Sequence, residues 1–180
     1  MTDIWFTSDT HFGHADILTF PGYDGQLIRP GFMDINHMDE QLICNWNAVV
    51  KPTDKVYHAG DFGYSISKYR PRLNGTINLI VGNHDKLRQK DFAHFKSIYS
   101  WRYFSAKEVA KPFVLSHYPL HLMAFDYKGG ASCKHNVHGH IHEKVVLKGN
   151  MPDPQYINIC VERTNYTPVH IDTLQNKMKS

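Results

Sequence analysis

Thr76-Ile77-Asn78-Leu79-Ile80-Val81-Gly82-Asn83-His84-Asp85 is the stretch that decides how this chain is read. Apart from Asn78, its first six residues are apolar or β-branched, the composition of a strand. The strand stops at a glycine and then delivers an amide, an imidazole and a carboxylate in succession. In α/β sheets, binding and catalytic groups gather on the loops that leave the carboxyl ends of strands.

The same arrangement recurs on both sides of this stretch. Upstream, Ile4-Trp5-Phe6-Thr7-Ser8 reads as a buried first strand and runs into Asp9-Thr10-His11, with His14 close behind. Lys55-Val56-Tyr57-His58-Ala59 is a strand that ends at Gly60-Asp61. Downstream, Pro112-Phe113-Val114-Leu115-Ser116 ends at His117, and Asn136-Val137-His138 ends at Gly139-His140 with His142 beyond. Asp9 and His11 are two residues apart, which in extended chain puts both side chains on one face. His140 and His142 repeat that spacing, and Gly139 lets the backbone come close without a clashing Cβ.

These residue types suit two hard or borderline cations, which take carboxylate oxygens, an amide oxygen and neutral imidazoles. Asp61 is the natural bridging carboxylate, because its neighbours Gly60 and Phe62 cannot ligate. Asn83 offers an oxygen without adding charge. Taken singly, an Asp or Asn after a strand is turn chemistry. The ordered set makes that bland explanation improbable.

The rest of the chain organises around these clusters. Asp34 to Val50 is the best helix: Met38, Leu42, Ile43, Trp46 and Val49 fall at helical spacing, Asp34 or Asn36 can cap it, and Lys51-Pro52 stops it. Short helices are expected at 15–20, 67–73 and 87–95. Further strands are expected at 98–104, 144–147, 156–160 and 168–171. Strand-helix alternation followed by a strand-rich half reads as one α/β domain over 1–180. Loops at 21–32 and 118–133 are long enough to roof a pocket.

Composition sets outer bounds. The chain has 180 residues, 42 % hydrophobic and 21 % charged, an ordinary globular balance. A net charge of +3 without a basic block permits a nucleic-acid partner but does not argue for one. Cys44, Cys133 and Cys160 are odd in number and lack CxxC spacing, so free, buried thiols in a reducing compartment are expected. No signal peptide or membrane span is visible, which points to a cytoplasmic location and no membrane partner. Trp5, Phe6, Trp46 and Trp101 read as core aromatics.

The set Asp-x-His, Gly-Asp, Gly-Asn-His-Asp, His, Gly-His-x-His, in this order from Ile4 to His142, resembles the signature of the calcineurin-like metallophosphoesterases. Phe6 to His14 and Val56 to Gly63 look especially like its small single-domain branch. The resemblance implies a four-layer αββα sandwich of two mixed β-sheets flanked by helices. It implies that Asp9, His11, Asp61 and His142 hold one metal, and Asp61, Asn83, His117 and His140 the other. His84 would sit over the scissile phosphate as a catalytic acid, oriented by Asp85. Two divalent ions would lower the pKa of a shared water and neutralise the phosphoryl oxygens during in-line attack. Manganese is the default ion, with iron, zinc, cobalt or nickel as others that suit these ligands.

The expected activity is a phosphoester hydrolase, first a phosphodiesterase on a nucleotide or nucleic-acid substrate. The alternatives are a phosphomonoesterase (a nucleotide or protein phosphatase) and a non-catalytic phosphate-binding metal module. No obligate protein partner is evident. Candidate substrate contacts are His14, Arg29, Tyr64 and His121, against surface, loop and packing roles for the same residues. The region 158–164 departs from the family's pattern after the last histidine pair, which puts substrate fit near Glu162 and Arg163 in question.

Overall fold

The computed structural model describes residues 2–22, 24–125 and 133–178. In chain order the strands are β1 Ile4–Thr7, β2 Lys55–His58, β3 Thr76–Ile80, β4 Ser97–Tyr99, β5 Trp101–Phe104 and β6 Phe113–Ser116. They continue as β7 His135–His138, β8 Leu147–Lys148, β9 Met151–Pro152, β10 Tyr156–Asn158 and β11 Val169–His170. The α-helices are α1 Ile35–Val49, α2 Ile66–Tyr69 and α3 Ile171–Lys177.

One sheet has the order β11-β1-β2-β3-β4, with β1 to β4 parallel and β11 antiparallel. The other has the order β10-β7-β6-β5, with β10, β7 and β6 parallel and β5 antiparallel. The two sheets lie face to face. Phe6 and Tyr57 of the first sheet share a core with Phe104, Phe113, Leu115, Val137 and Ile157 of the second. The Phe104 and Phe113 rings stack at 4.6 Å, and Phe6 meets Phe113 edge-on at 5.7 Å. Strand alternation sends Val56, Ile77 and Leu79 the other way, against Met38, Leu42 and Trp46 of α1. Asp34 caps α1 by accepting the His37 N–H at 2.8 Å.

The protein is therefore α/β with two mixed sheets and few helices. The outer helical layer expected over the second sheet is reduced, among the described residues, to irregular chain around a 3₁₀ turn at Leu122–Ala124. That chain is tied down by polar bonds: the Leu120 N–H donates to Asn136 Oδ1 at 2.8 Å, and the Tyr156 hydroxyl donates to the Leu120 carbonyl at 2.7 Å. Residues 126–132 of the loop expected at 118–133, and Tyr23 of the loop at 21–32, lie outside the described residues.

Several local expectations change. The strand read at 98–104 is two, because Ile98 pairs with Leu79 in the first sheet while Trp101 pairs with Ser116 in the second. Trp101 lies on that second sheet's edge strand and is 58 % exposed, so it is not a core residue. The expected helices at 15–20 and 87–95 are 3₁₀ turns, Ala15–Thr19 and Gln89–His94. The strand at 144–147 shifts into the exposed β8–β9 hairpin. Helix α3, seven residues long, is too short to show helical periodicity and was read in part as strand. Cys44 is exposed, whereas Cys133 and Cys160 are buried, and all three are free thiols. No described helix is long and apolar enough to cross a membrane.

Candidate metal centre

Because β1, β2 and β3 are parallel, their carboxyl ends deliver Asp9, Asp61 and Asn83 to one edge of the first sheet. Parallel β6 and β7 do the same for His117 and His140 in the second. Backbone bonds fasten these loops together. The Asp9 N–H donates to the Gly60 carbonyl at 2.9 Å and the His11 N–H to the Asp61 carbonyl at 3.0 Å. Across the sheets, the His140 N–H donates to Asp9 Oδ2 at 2.9 Å and the Cys160 thiol donates to the same oxygen at 3.2 Å.

The chain is not extended at these residues, as the two-residue spacing suggested. Asp9, His11, Asp61, His140 and His142 all adopt positive φ, between 51° and 69°. Non-glycine residues seldom accept that conformation, and it collects where function demands a particular aim. Convergence is therefore achieved by left-handed turns and not by strand alternation.

Two tight groups of ligand atoms result. Asp9, His11 and His142 form one, Asp9, Asp61 and His117 the other, each with atoms within 4.8 Å of one another. His11 Nε2 stands 3.9 Å from Asp9 Oδ1 and 3.6 Å from Asp61 Oδ2. Asp61 Oδ2 is also 3.6 Å from His117 Nε2, so one carboxylate oxygen faces both histidines. Asn83 Oδ1 reaches His117 Nε2 at 2.7 Å. His140 belongs to neither tight group, but its ring lies 5.0 Å from that of His117.

The ligand nitrogens are aimed by the partners of the opposite ring nitrogen. His117 Nδ1 donates to the Ala59 carbonyl at 2.9 Å, a tautomer in which Nε2 and the neighbouring Asn83 Oδ1 are both left to share a cation. His142 Nδ1 bonds Glu162 Oε1 at 2.9 Å. His11 Nδ1 faces His14 Nδ1 at 3.0 Å. Burial holds His11 well below the ordinary histidine range, as the nearby Arg29 charge also does, so its imidazole is neutral. Burial pushes the Asp9 carboxyl up, which marks a carboxylate that needs a cation beside it. Asp9 Oδ1 and His11 Nε2 are buried with no hydrogen-bond partner, and they face one another. Cation ligation satisfies such a pair.

The remaining candidates fall in different places. His14 is buried, 4 % exposed, with its ring 5.4 Å from His84 and 4.6 Å from Tyr64, so it is not a surface residue. His84 sits 5.3 Å, ring to ring, from His11. Asp85 does not face the His84 imidazole. Its two oxygens accept three backbone N–H groups, from Asp61 at 2.9 Å, Phe62 at 2.9 Å and Gly82 at 2.8 Å. Asp85 thus shapes the loop that carries Asp61. His121 caps the turn at Leu122–Ala124 through Nδ1 and is exposed. His58 is a core residue: burial holds it down at about 3, and its Nε2 meets Thr10 Oγ1 at 2.9 Å.

Arg29 is neither a phosphate clamp nor a solvated loop residue. It is 1 % exposed and donates to the carbonyls of Asp9 and Thr10 and to Glu162 Oε1, the last at 2.7 Å. Glu162 was missed as a site residue. Burial opposes its ionisation, but the Arg29 charge and the His142 hydrogen bond outweigh burial and hold its carboxyl below the usual range. The only signal in the sequence was that Arg29 and Glu162 are opposite charges, and they stand 133 positions apart. Replacing Arg29 with Met strips both carbonyls of their donor and leaves Glu162 buried without its cation. The expected loss is about 3–5 kcal/mol of unfolding free energy, read by urea denaturation. Adding Glu162→Gln to that variant recovers part of it.

No model of a known protein family matches the chain. It is 34 % identical to the uncharacterized protein MJ1445 of Methanocaldococcus jannaschii, over 97 % of this chain and 90 % of that one. It is 24 % identical to the gene 66 protein of Mycobacterium phage D29, over 90 % of this chain and 89 % of that one. Among solved structures it is similar to AQ665 from Aquifex aeolicus, a protein of unknown function, at a TM-score of 0.71 and 27 % identity. That match covers 98 % of this chain and 99 % of the other. The identity with MJ1445 spans nearly the whole of both chains, and the chain therefore belongs to the same family as that uncharacterized archaeal protein.

Proposed function

We propose that the protein is a dinuclear metal-dependent phosphoester hydrolase of the calcineurin-like metallophosphoesterase type, acting on a phosphodiester of nucleotide or nucleic-acid character. The observation that carries this reading is the position of Asp61 Oδ2, 3.6 Å from both His11 Nε2 and His117 Nε2. A single oxygen facing two imidazoles of opposite sheets is what a shared ligand requires. The unpartnered Asp9 Oδ1 and His11 Nε2 support the fit of a cation to the first set.

Asp9, His11, Asp61 and His142 would hold one cation, and Asp61, Asn83, His117 and His140 the other. When bound, two such cations supply an activated water and neutralise charge at phosphorus. Manganese is the proposed ion. The protein's own part is positional. Glu162 and the Ala59 carbonyl fix which nitrogens of His142 and His117 face inward. His84 lies beside both His11 and His14, free of the Asp85 carboxylate, where its imidazolium form can pass a proton to a leaving oxygen and become neutral imidazole. His84 also lines a cleft, which gives room for a second ester substituent and favours a diester over a monoester.

The test is hydrolysis of bis(p-nitrophenyl) phosphate, with p-nitrophenyl phosphate alongside. Chelated protein is expected to be inactive, and Mn²⁺ is expected to restore cleavage of the diester. Undiminished turnover after exhaustive chelation would sink the mechanism. Bound metal without hydrolysis of either ester would favour a phosphate-binding module. In His84→Ala, esters of basic alcohols are expected to lose at least about tenfold more rate than nitrophenyl esters. Equal losses would remove His84 from the acid role.

A further inference from the structure

The cleft beyond His84 is built from two loops, Gly63 to Ile66 after β2 and His84 to Asp91 after β3, and encloses about 410 Å³. Its walls offer two chemistries to a ligand, an aromatic ring and a cation. Tyr64 is 44 % exposed and its ring lies 4.6 Å from that of His14, so an aromatic face lines the cleft beside His14. Asp91 is 2 % exposed; its Oδ2 accepts from the Arg88 backbone N–H at 2.9 Å and from Arg88 Nε at 3.2 Å. Its Oδ1 is buried and has no hydrogen-bond partner. Lys86 is exposed on the same wall, and no carboxylate pairs with its ammonium among the described residues. The charge of Arg88 is already matched by Asp91, so Lys86 is the cation left for a ligand.

We infer that this cleft is a leaving-group subsite for a nucleotide that carries a phosphate of its own: its base lies on Tyr64 and its phosphate pairs with Lys86. An exposed aromatic face and an uncompensated cation in one cleft call for a π surface and an anion on one ligand. A nucleotide presents both. An uncharged alcohol or a simple aryl leaving group would use the aromatic face alone. His84 lines the cleft and its ring also lies 5.3 Å from that of His11, so a scissile ester beside it sits between this unit and the metal centre. This inference rests on the hydrolase reading for its reaction but not for its binding.

Two measurements keep the two claims apart. The first is calorimetric binding, with Mn²⁺ present, of adenosine 3′,5′-bisphosphate against adenosine 5′-monophosphate and adenosine 3′-monophosphate. The bisphosphate is expected to bind at least about tenfold more tightly than either monophosphate, the scale of one charge-assisted contact. Lys86→Gln is expected to abolish that advantage and leave the monophosphate affinities unchanged. Equal affinity for all three, or an equal loss on all three in Lys86→Gln, overturns the subsite.

The second measurement is the kcat/KM for ApA, pApA and ApAp, with bis(p-nitrophenyl) phosphate as the reference diester. One of the two terminally phosphorylated dinucleotides is expected to exceed ApA by about tenfold or more, and Lys86→Gln to remove the difference without touching the reference rate. Equal, measurable rates on the three dinucleotides, with the reference ester also cleaved, overturn the subsite. Selective bisphosphate binding with no cleavage of any diester would overturn the hydrolase reading and leave the subsite standing.

Discussion

Asp61→Asn is expected to lower metal-dependent diester cleavage by at least about 10³-fold, the scale on which a single preorganised electrostatic group acts. The substitution keeps the shape of the side chain. Its Oδ1 can still accept the His84 N–H, which lies at 2.8 Å, and the backbone bonds of Asp61 to Asp85 and His11 are untouched. What disappears is the negative charge shared between His11 and His117. In the metal-free protein that charge is buried, at 1 % exposure, and burying a carboxylate costs stability. Metal-free Asp61→Asn is therefore expected to melt no lower than the parent, while its Mn²⁺ content falls. A circular-dichroism melt and metal analysis of the same sample separate loss of metal from loss of fold. A variant that unfolds early would mean that Asp61 is structural.

The second large effect is expected at a residue with no side chain. A Cβ built on Gly139 would overlap Ser8 Oγ and Asp9 Oδ2. Asp9 cannot yield freely, because its Oδ2 also accepts from the His140 N–H and the Cys160 thiol. Gly139→Ala should thus push apart the two sheets' contributions to the centre. Mn²⁺ affinity is expected to fall on the order of 100-fold, as when the groups that orient a ligand are lost. Unfolding free energy is expected to fall by about 1–3 kcal/mol from overpacking. Calorimetric titration and urea denaturation measure the two. Gly82→Ala makes a similar clash with Asp61 Oδ1 and the Asp61 backbone N, so it offers an independent check at the other sheet's edge.

The gathering of the candidate ligands was legible because they follow parallel strands. Once Ile4–Thr7, Lys55–His58 and Thr76–Ile80 pair side by side, Asp9, Asp61 and Asn83 must emerge together. Strand endings of that kind are local patterns of apolar residues and glycine. Other features were hidden because they depend on distant pairing. Glu162 acts through His142 and Arg29, and nothing near it in the chain announces either partner. Arg29 looked like a loop cation because its loop is irregular; its burial follows only from folding against the Asp9 and Thr10 carbonyls. Asp85 was expected to address a side chain and instead holds three amides, a turn role that the triplet Asn83-His84-Asp85 does not disclose. The break at Ser100, where the chain leaves one sheet for the other, is invisible in a run rich in aromatic residues that favours strand on both sides.

One carboxylate, that of Asp61, is expected to join two metal sites. Anomalous diffraction from crystals grown with Mn²⁺ tests this most directly. Two peaks per chain are expected, about 4 Å apart, one near His11 and His142, the other near His117 and Asn83, with the Asp61 carboxylate between them. A single peak, or two peaks of which only one touches Asp61, would contradict it.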